Sequence, residues 1–332
     1  MTVTIIDTDI GTDVDDAMAL ALAAASPEIT LAGVTTVHGN ATLRGRIARR
    51  LLDLAGRSDV PVVAGRTAAL RPSAVEDFHW NALWGHEGAG LLSVAERDVH
   101  ENDLHNDAAA RFLVDKISRS PGEVSLVTIG PLTNVARALE IAPDLAEHVR
   151  KITIMGGLVH RGSFKWPAHF ETNLNADPRA AEIVLNSGAP ITLVPLEVTL
   201  QVYLTNSQRD LLGISDNAVA RALYSLIQEM REPFLAFNER YGLDGSDFDK
   251  RTYMHDPLAF YASLGGSLVQ TRPARVQVHY DGPTLRTIEV EGEPNMELCY
   301  EANGAAFASW WLDRVTNPGP PHTDLNERPR QH

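Results

Sequence analysis

Five carboxylates fall within ten residues between Asp7 and Asp16, in the run DTDIGTDVDD that follows the apolar stretch of residues 3–6. Gathered at the end of a buried strand, they repel one another, and desolvating like charges together is costly without a counter-ion. Three chemistries could use such a run. Helix capping suits Asp15 and Asp16, because acidic groups at a helix start accept from free amides and complement its dipole. It leaves Asp7, Asp9 and Asp13 without a purpose. A calcium loop of the EF-hand kind fits the alternation of Asp7, Asp9, Asp13 and Asp15, but it needs Gly at its sixth position and a bidentate Glu at its twelfth. Thr12 and Met18 stand there, which excludes it. The third chemistry is a catalytic cation at a strand end, where hard carboxylate oxygens select Ca²⁺ or Mg²⁺ and the ion relieves their repulsion.

The elements that must position these groups are legible in the pattern. Residues 2–7, 30–37, 60–65, 123–129, 151–157 and 191–196 read as buried strands, short and rich in β-branched types. Residues 15–26, 41–56, 106–120 and 177–188 read as helices between them. The alternation predicts an α/β fold, an open, mostly parallel twisted sheet flanked by helices, with ligands gathering at the carboxyl ends of the strands. Residues 206–241 are helix-rich, and 274–290 read as a late hairpin. No repeat or linker divides the chain, so one catalytic domain is expected over 1–316, followed by a polar, Pro-rich and mobile tail over 317–332.

Bulk properties narrow the partners. A formal net charge of −14 lacks the basic footprint of a nucleic-acid binder and disfavours anionic membrane surfaces. No apolar run approaches the length of a membrane span. The start TVTIID has neither the basic nor the apolar part of a signal peptide. A lone Cys299 fits a reducing compartment, so a cytoplasmic location is expected.

Two enzyme types end a strand in D-x-D. Phosphotransferases of the haloacid-dehalogenase type continue D-x-D-G-T, but here Ile10 intrudes. The run IIDTDIGTDVDDAMALALA instead resembles the N-terminal signature of the nucleoside hydrolase family: apolar strand, D-x-D, a Gly-containing turn, D-D and a small-residue helix. The likeness recurs in order. AGVTTVHGN ends at Asn40, which could equally stabilise a turn. VTIGPLTNVARAL places Ile129 at a strand end, ITIMGG carries Met155, and FETNLNADPRAA carries Glu171 and Asn173. LEVT (196–199) echoes the family as scaffold. YMHDPLAFY carries His255 and Asp256, although Asp before Pro is also ordinary helix punctuation. Asp177 with Pro178 is accounted for as an N-cap followed by proline.

The resemblance implies hydrolysis of the N-glycosidic bond of free ribonucleosides, releasing ribose and a nucleobase. Asp9, Asp16, Asp256 and the carbonyl of Ile129 would hold Ca²⁺, and Asp9 would act as general base toward a metal-activated water. Asp15 and Asn173 would grip the 2′- and 3′-hydroxyls, Glu171 and Ser163 the 5′ end, and Asn40, Met155 and Asp256 would complete the sugar site. Trp84 and His255 would face the base, with His255 as general acid. It also implies a nucleoside as the partner and a homodimer or homotetramer. The alternative is a non-catalytic nucleoside- or sugar-binding protein.

Several positions depart from the family pattern. Trp84, in WGHEGAG, takes the place of a base-facing His, leaving His79 and His86 as substitutes. Gly162-Ser163 stands where a Gly-Asn is common. The acidic turn is lengthened, and Asp13 in the extra length is expected to be a solvated loop residue. Phe237 and Tyr241 are candidate lid residues.

Overall fold

Ile5 and Ile6 are adjacent and both fully buried, yet they belong to different hydrophobic cores. Successive side chains of a strand face opposite sides, so a strand apolar on both faces must lie inside a sheet covered on both. That is the position of β1 (Thr2–Thr8). The computed structural model describes residues 1–71, 85–100, 103–159, 171–241, 250–282 and 284–318.

The remaining strands are β2 (Ile29–Thr36), β3 (Val62–Ala64), β4 (Val124–Thr128), β5 (Lys151–Met155), β6 (Ile191–Val194), β7 (Tyr203–Thr205), β8 (Arg251–Tyr253), β9 (Val269–Asp281), β10 (Thr284–Val290) and β11 (Met296–Ala302). Of the eleven strands among the described residues, nine, β1 included, form one sheet in the order β10-β9-β11-β6-β5-β4-β1-β2-β3, and β7 pairs with β8 separately. Strands β1 to β6 run parallel, β11 joins β6 in parallel, and the β9–β10 hairpin adds antiparallel pairs at one edge. The fold is thus the expected mostly parallel α/β sheet.

One core face holds α1 (Asp15–Ala24), α2 (Ala41–Leu54), α7 (Ala218–Tyr241), α8 (His255–Ser263) and α9 (Gly304–Thr316). The other holds α3 (Ala108–Arg119), α4 (Thr133–Ile141) and α5 (Pro178–Leu185). Helix α6 (Asn206–Gly213) packs on α7. The elements β11 and α9 lie in a stretch, 291–316, for which the sequence pattern predicts nothing. Their contribution is substantial: Trp311 of α9 is fully buried and its indole N–H donates to the Met18 carbonyl of α1 at 3.2 Å. Among the described residues no helix is long and apolar enough to cross a membrane.

Two features of this architecture position the site. From β1 the chain proceeds to β2 on one side, whereas β4 leads to β5 on the other, so the order reverses between β1 and β4. In open α/β sheets the ligand crevice opens at such a switch point, beyond the carboxyl ends of the strands. Asp7 pairs with Thr128 in register, so Asp9 and Ile129 leave the sheet together at that crevice. Second, α1 and α8 pack against each other. Both helices begin with acidic residues, Asp15 and Asp16 on α1 and Asp256 on α8. Two helix N-termini, each carrying partial positive charge, therefore point acidic side chains at one place.

Candidate active site

The carboxylates of Asp15, Asp16 and Asp256 are 5%, 4% and 3% exposed, and one oxygen from each lies within 4.8 Å of the others. Burial pushes all three pKa values well above the ordinary range, and the charges of neighbouring aspartates add to it. Asp9, half-buried, is raised by burial too, and its charge raises Asp16 and Asp256 in turn. Among the described residues the tightest trio thus contains Asp15, where the family pattern implies Asp9; Asp9 sits beside the trio. Thr8 donates its hydroxyl to Asp16, and the amide of Asp256 donates to Asp15 Oδ2 at 3.4 Å. Buried, hard, oxygen-only and self-repelling, this donor set fits a divalent cation such as Ca²⁺ or Mg²⁺.

Asp13 differs from its expected solvated position. It is half-buried, it accepts from the Val14 amide, and burial with the nearby Asp9 charge lifts its pKa to about 6. Its own charge raises Asp15 and Asp256. The extra length of the turn folds back toward the cluster because Ile10 and Val14 are both drawn into the core.

What holds the turn is a residue that the motif does not reveal. Arg44 of α2 is 1% exposed. Its Nε donates to the His38 carbonyl at 2.7 Å, Nη1 to the carbonyls of Asp9 and, at 3.1 Å, Ile10, and Nη2 to Thr12 Oγ1 at 2.8 Å. The guanidinium thereby grips the turn through its backbone while its charge favours ionised Asp9 and Asp16. Arg44→Met removes the donor from the buried carbonyls of His38 and Ile10 and from the half-buried one of Asp9. It is expected to destabilise the protein by about 3 kcal/mol or more, read as a lowered urea midpoint at unchanged slope. An unchanged midpoint would show that the turn does not depend on this residue.

Asp7 lies deeper. It is fully buried, accepts from the Thr35 hydroxyl and from Asn134 Nδ2 at 2.9 Å, and leaves Oδ2 without a partner among the described residues. Burial raises its pKa to about 7. Asn134 also donates to the Thr36 carbonyl at 3.0 Å, so this pair ties the ends of β1 and β2 to α4.

On the side of β4 and β5, Asn173 Nδ2 donates at 3.2 Å to the carbonyls of Ile129 and Met155 and approaches Met155 Sδ equally closely. Three residues expected at the site are thus in mutual contact. Glu171, 3% exposed, caps the short turn Thr172–Ala176 by accepting from the Leu174 amide at 3.2 Å, and burial lifts its pKa to about 7. Asn175, two residues beyond Asn173, donates to the Glu171 carbonyl at 2.9 Å and accepts from the Leu285 amide at 2.8 Å. It locks this turn to β10, a role its place in the same E-x-N-x-N run could have suggested. Asn40 N-caps α2 by accepting from Leu43 at 2.9 Å, and its amide donates to Val99 at 2.7 Å. Asp177 caps α5 through Ala180 at 3.1 Å, as its pairing with Pro178 implies.

At the opposite end His255 opens α8 beside Asp256. Its Nδ1 lies 2.7 Å from Thr199 Oγ1, and its ring stacks on Tyr253 at 5.5 Å with 19° between planes. Burial lowers its pKa to about 4, so the ring is neutral at pH 7. It borders a cavity of about 60 Å³ shared with Asp13, Val14, Met230, Arg251 and Tyr253. His86 is exposed. Trp84, His79 and Ser163, the side chains of Phe237 and Tyr241, and the tail beyond residue 318 lie outside the described residues.

With the geometry in place, comparison with known proteins is specific. Residues 4–309 match the family described as inosine-uridine preferring nucleoside hydrolase. A probable uridine nucleosidase 2 from Oryza sativa subsp. japonica is 35% identical over 282 residues, covering 84% of this chain and 78% of the relative. Among solved structures, the plant nucleoside hydrolase PpNRh1 superposes with a TM-score of 0.76 at 30% identity, covering 96% of this chain and 99% of that one. A purine-preferring ribonucleoside hydrolase from Gardnerella vaginalis gives 0.76 at 27%, covering 95% and 98%.

Proposed function

The chain belongs to the inosine-uridine preferring nucleoside hydrolase family, whose relatives cleave N-glycosidic bonds of ribonucleosides, and from that premise we propose a calcium-dependent hydrolase of free ribonucleosides with Asp9 as general base. The observation that carries the proposal is the convergence of Asp15, Asp16 and Asp256 at two helix N-termini beside Asp9. Asp9, Asp16, Asp256 and the Ile129 carbonyl would hold the ion. Bound there, Ca²⁺ would neutralise the cluster, acidify water and engage the sugar hydroxyls.

The chain's own groups have separate tasks. Asp9 accepts the proton of the attacking water. Asp15 and Asn173 orient the 2′- and 3′-hydroxyls, which fixes the ring for attack. The acidic walls stabilise positive charge as it develops on the sugar. Glu171 lies at the 5′ end, where its carboxylate and burial disfavour a 5′-phosphate, so nucleosides are preferred over nucleotides. His255 lies against the base.

Room for Asp9 is set by Gly130. A Cβ there would stand 2.7 Å from Asp9 Oδ1 and 2.8 Å from Asp9 N. Gly130→Ala therefore displaces the base, and a shift of about 1 Å costs about 100-fold in rate. The expected result is a kcat lowered by about that factor with an unchanged far-ultraviolet circular dichroism spectrum; a wild-type kcat would contradict the placement of Asp9.

The function is tested by incubating the protein with uridine, cytidine, inosine and adenosine, with and without a chelator, and measuring released base and reducing sugar. Release abolished by chelator and restored by Ca²⁺ supports the proposal. Tight binding without release would instead make the protein a nucleoside-binding protein.

A further inference from the structure

Glu171 follows β5 in the chain, yet its carboxylate is held in place from the late β9–β10 hairpin. The clamp around it has two halves. The turn after β5 supplies one: the Gly157 amide donates to the Glu171 carboxylate, and a Cβ at Gly156 would stand 3.2 Å from Glu171 Oε1. The turn Thr172–Ala176 supplies the other, through the Leu174 amide at 3.2 Å and Asn175 Nδ2 at 3.3 Å. Both halves end on β10. Asn175 exchanges two hydrogen bonds with the backbone of Leu285, at 2.8 and 3.2 Å. Thr287, two positions along and so on the same face of the strand, accepts from the buried Leu158 amide at 2.9 Å. An amide can only donate, so the direction of that bond is fixed. Gly157, at φ +85°, packs so closely that a Cβ there would stand 2.8 Å from Thr287 Oγ1. The hairpin itself is tied to the main sheet, since β9 pairs with β11 and β11 with β6.

We propose that Thr287 is a positioning residue for the sugar's 5′ end: its hydroxyl holds the turn 156–158 against Glu171, and β10 is thereby the outer strut of the sugar site. Without that acceptor the buried Leu158 amide is left unpaired, and the turn shifts to find another partner. The shift carries Gly157 away from the Glu171 carboxylate and lets the side chain turn from the 5′-hydroxyl. A substrate that has no 5′-hydroxyl does not use Glu171 and is indifferent to the change. The place of Glu171 at the 5′ end, on which this rests, comes from the proposed nucleoside hydrolysis; the link from Thr287 to Glu171 does not.

Two measurements test it. The first is kcat/KM for uridine and for 5′-deoxyuridine in wild type, Thr287→Ser and Thr287→Val. Valine keeps the shape of threonine and removes the acceptor. In Thr287→Val the value for uridine is expected to fall by about tenfold or more and that for 5′-deoxyuridine by no more than about twofold. Serine restores the acceptor, so Thr287→Ser should keep both values within about threefold of wild type. An equal fall for the two substrates, no fall, or the same loss in Thr287→Ser overturns the positioning role. The second is amide hydrogen exchange, which needs no turnover. Thr287→Val should speed exchange at both Leu158 and Leu174 by about tenfold while leaving the amides of β4 unchanged. Leu174 unmoved, or acceleration throughout the sheet, overturns the link to Glu171. Absence of turnover with every nucleoside would instead refute the hydrolase reading and leave exchange at Leu174 to decide whether Thr287 holds Glu171.

Discussion

Asp9→Ala is expected to lower kcat for nucleoside hydrolysis by about 10⁴-fold or more. A positioned general base alone contributes about 10²- to 10⁴-fold, and Asp9 is also assigned to the cation. The KM change should be smaller, because Asp15, Asn173 and Glu171 still grip the sugar. The same substitution should make the chelated protein more stable, since the folded chain gives up a carboxylate whose own pKa is raised by burial and whose charge raises those of Asp16 and Asp256. Loss of activity with a gain in stability is the signature of a site that holds strain for function. Comparison of single-turnover rates and thermal midpoints of the two chelated proteins, then of the calcium-loaded ones, separates the contributions. Activity within tenfold of wild type would remove Asp9 from the chemistry.

The second large effect is on stability against pH. Asp7 and Glu171 have folded pKa values of about 7, against 3.8 and 4.5 for the free side chains, and burial holds Asp15, Asp16 and Asp256 well above the ordinary carboxylate range too. A raised carboxylate means that the folded state binds more protons than the unfolded one between the two pKa values. Its stabilising contribution is complete below the unfolded value and is lost as pH rises to the folded one. His38 and His255 act oppositely: their folded values, about 3 and about 4, lie below the free value of 6.5, so they reduce stability as pH falls below 6.5. Above pH 6.5 only the carboxylates remain, and each contributes a slope of up to about 1.4 kcal/mol per pH unit. The chelated protein should therefore lose several degrees of thermal midpoint between pH 6.5 and 8. Saturating Ca²⁺ should flatten that decline, because the ion binds the ionised carboxylates of the folded state alone. A midpoint in chelator that is level or rising over this range would contradict the burial and closeness of the cluster.

How much of this was open to reading from the residues depended on how local each feature is. Strands β1 to β6 are short β-branched runs that announce themselves by type, and Asp9, Ile129, Asn173 and Asp256 fall at strand or helix ends within recognisable runs. Strand β11 was not legible: MELCYEA mixes charged and apolar residues and is made a strand by β6 and β9 on either side of it. Helix α9, at the far end of the chain, is fixed by burial of Phe307 and Trp311 against elements distant in sequence. Arg44 looks like one more arginine of an amphipathic helix, and only the path of the turn after β1 turns its guanidinium inward. Asp13 looks like loop because its neighbours in sequence are polar, whereas Ile10 and Val14 pull the turn into the core. Thr199 is the same kind of case, since nothing near it in sequence signals His255, 56 residues away.

The central claim is a divalent cation held at the convergence of α1 and α8, and diffraction can test it directly. Crystals grown with Mn²⁺ as a Ca²⁺ substitute, recorded near the manganese absorption edge, should give one strong anomalous peak in contact with the carboxylates of Asp9, Asp16 and Asp256 and the carbonyl of Ile129, with calcium crystals showing oxygen ligands at about 2.3–2.6 Å. A peak outside that group of residues, or none in crystals of protein that cleaves nucleosides, would contradict it.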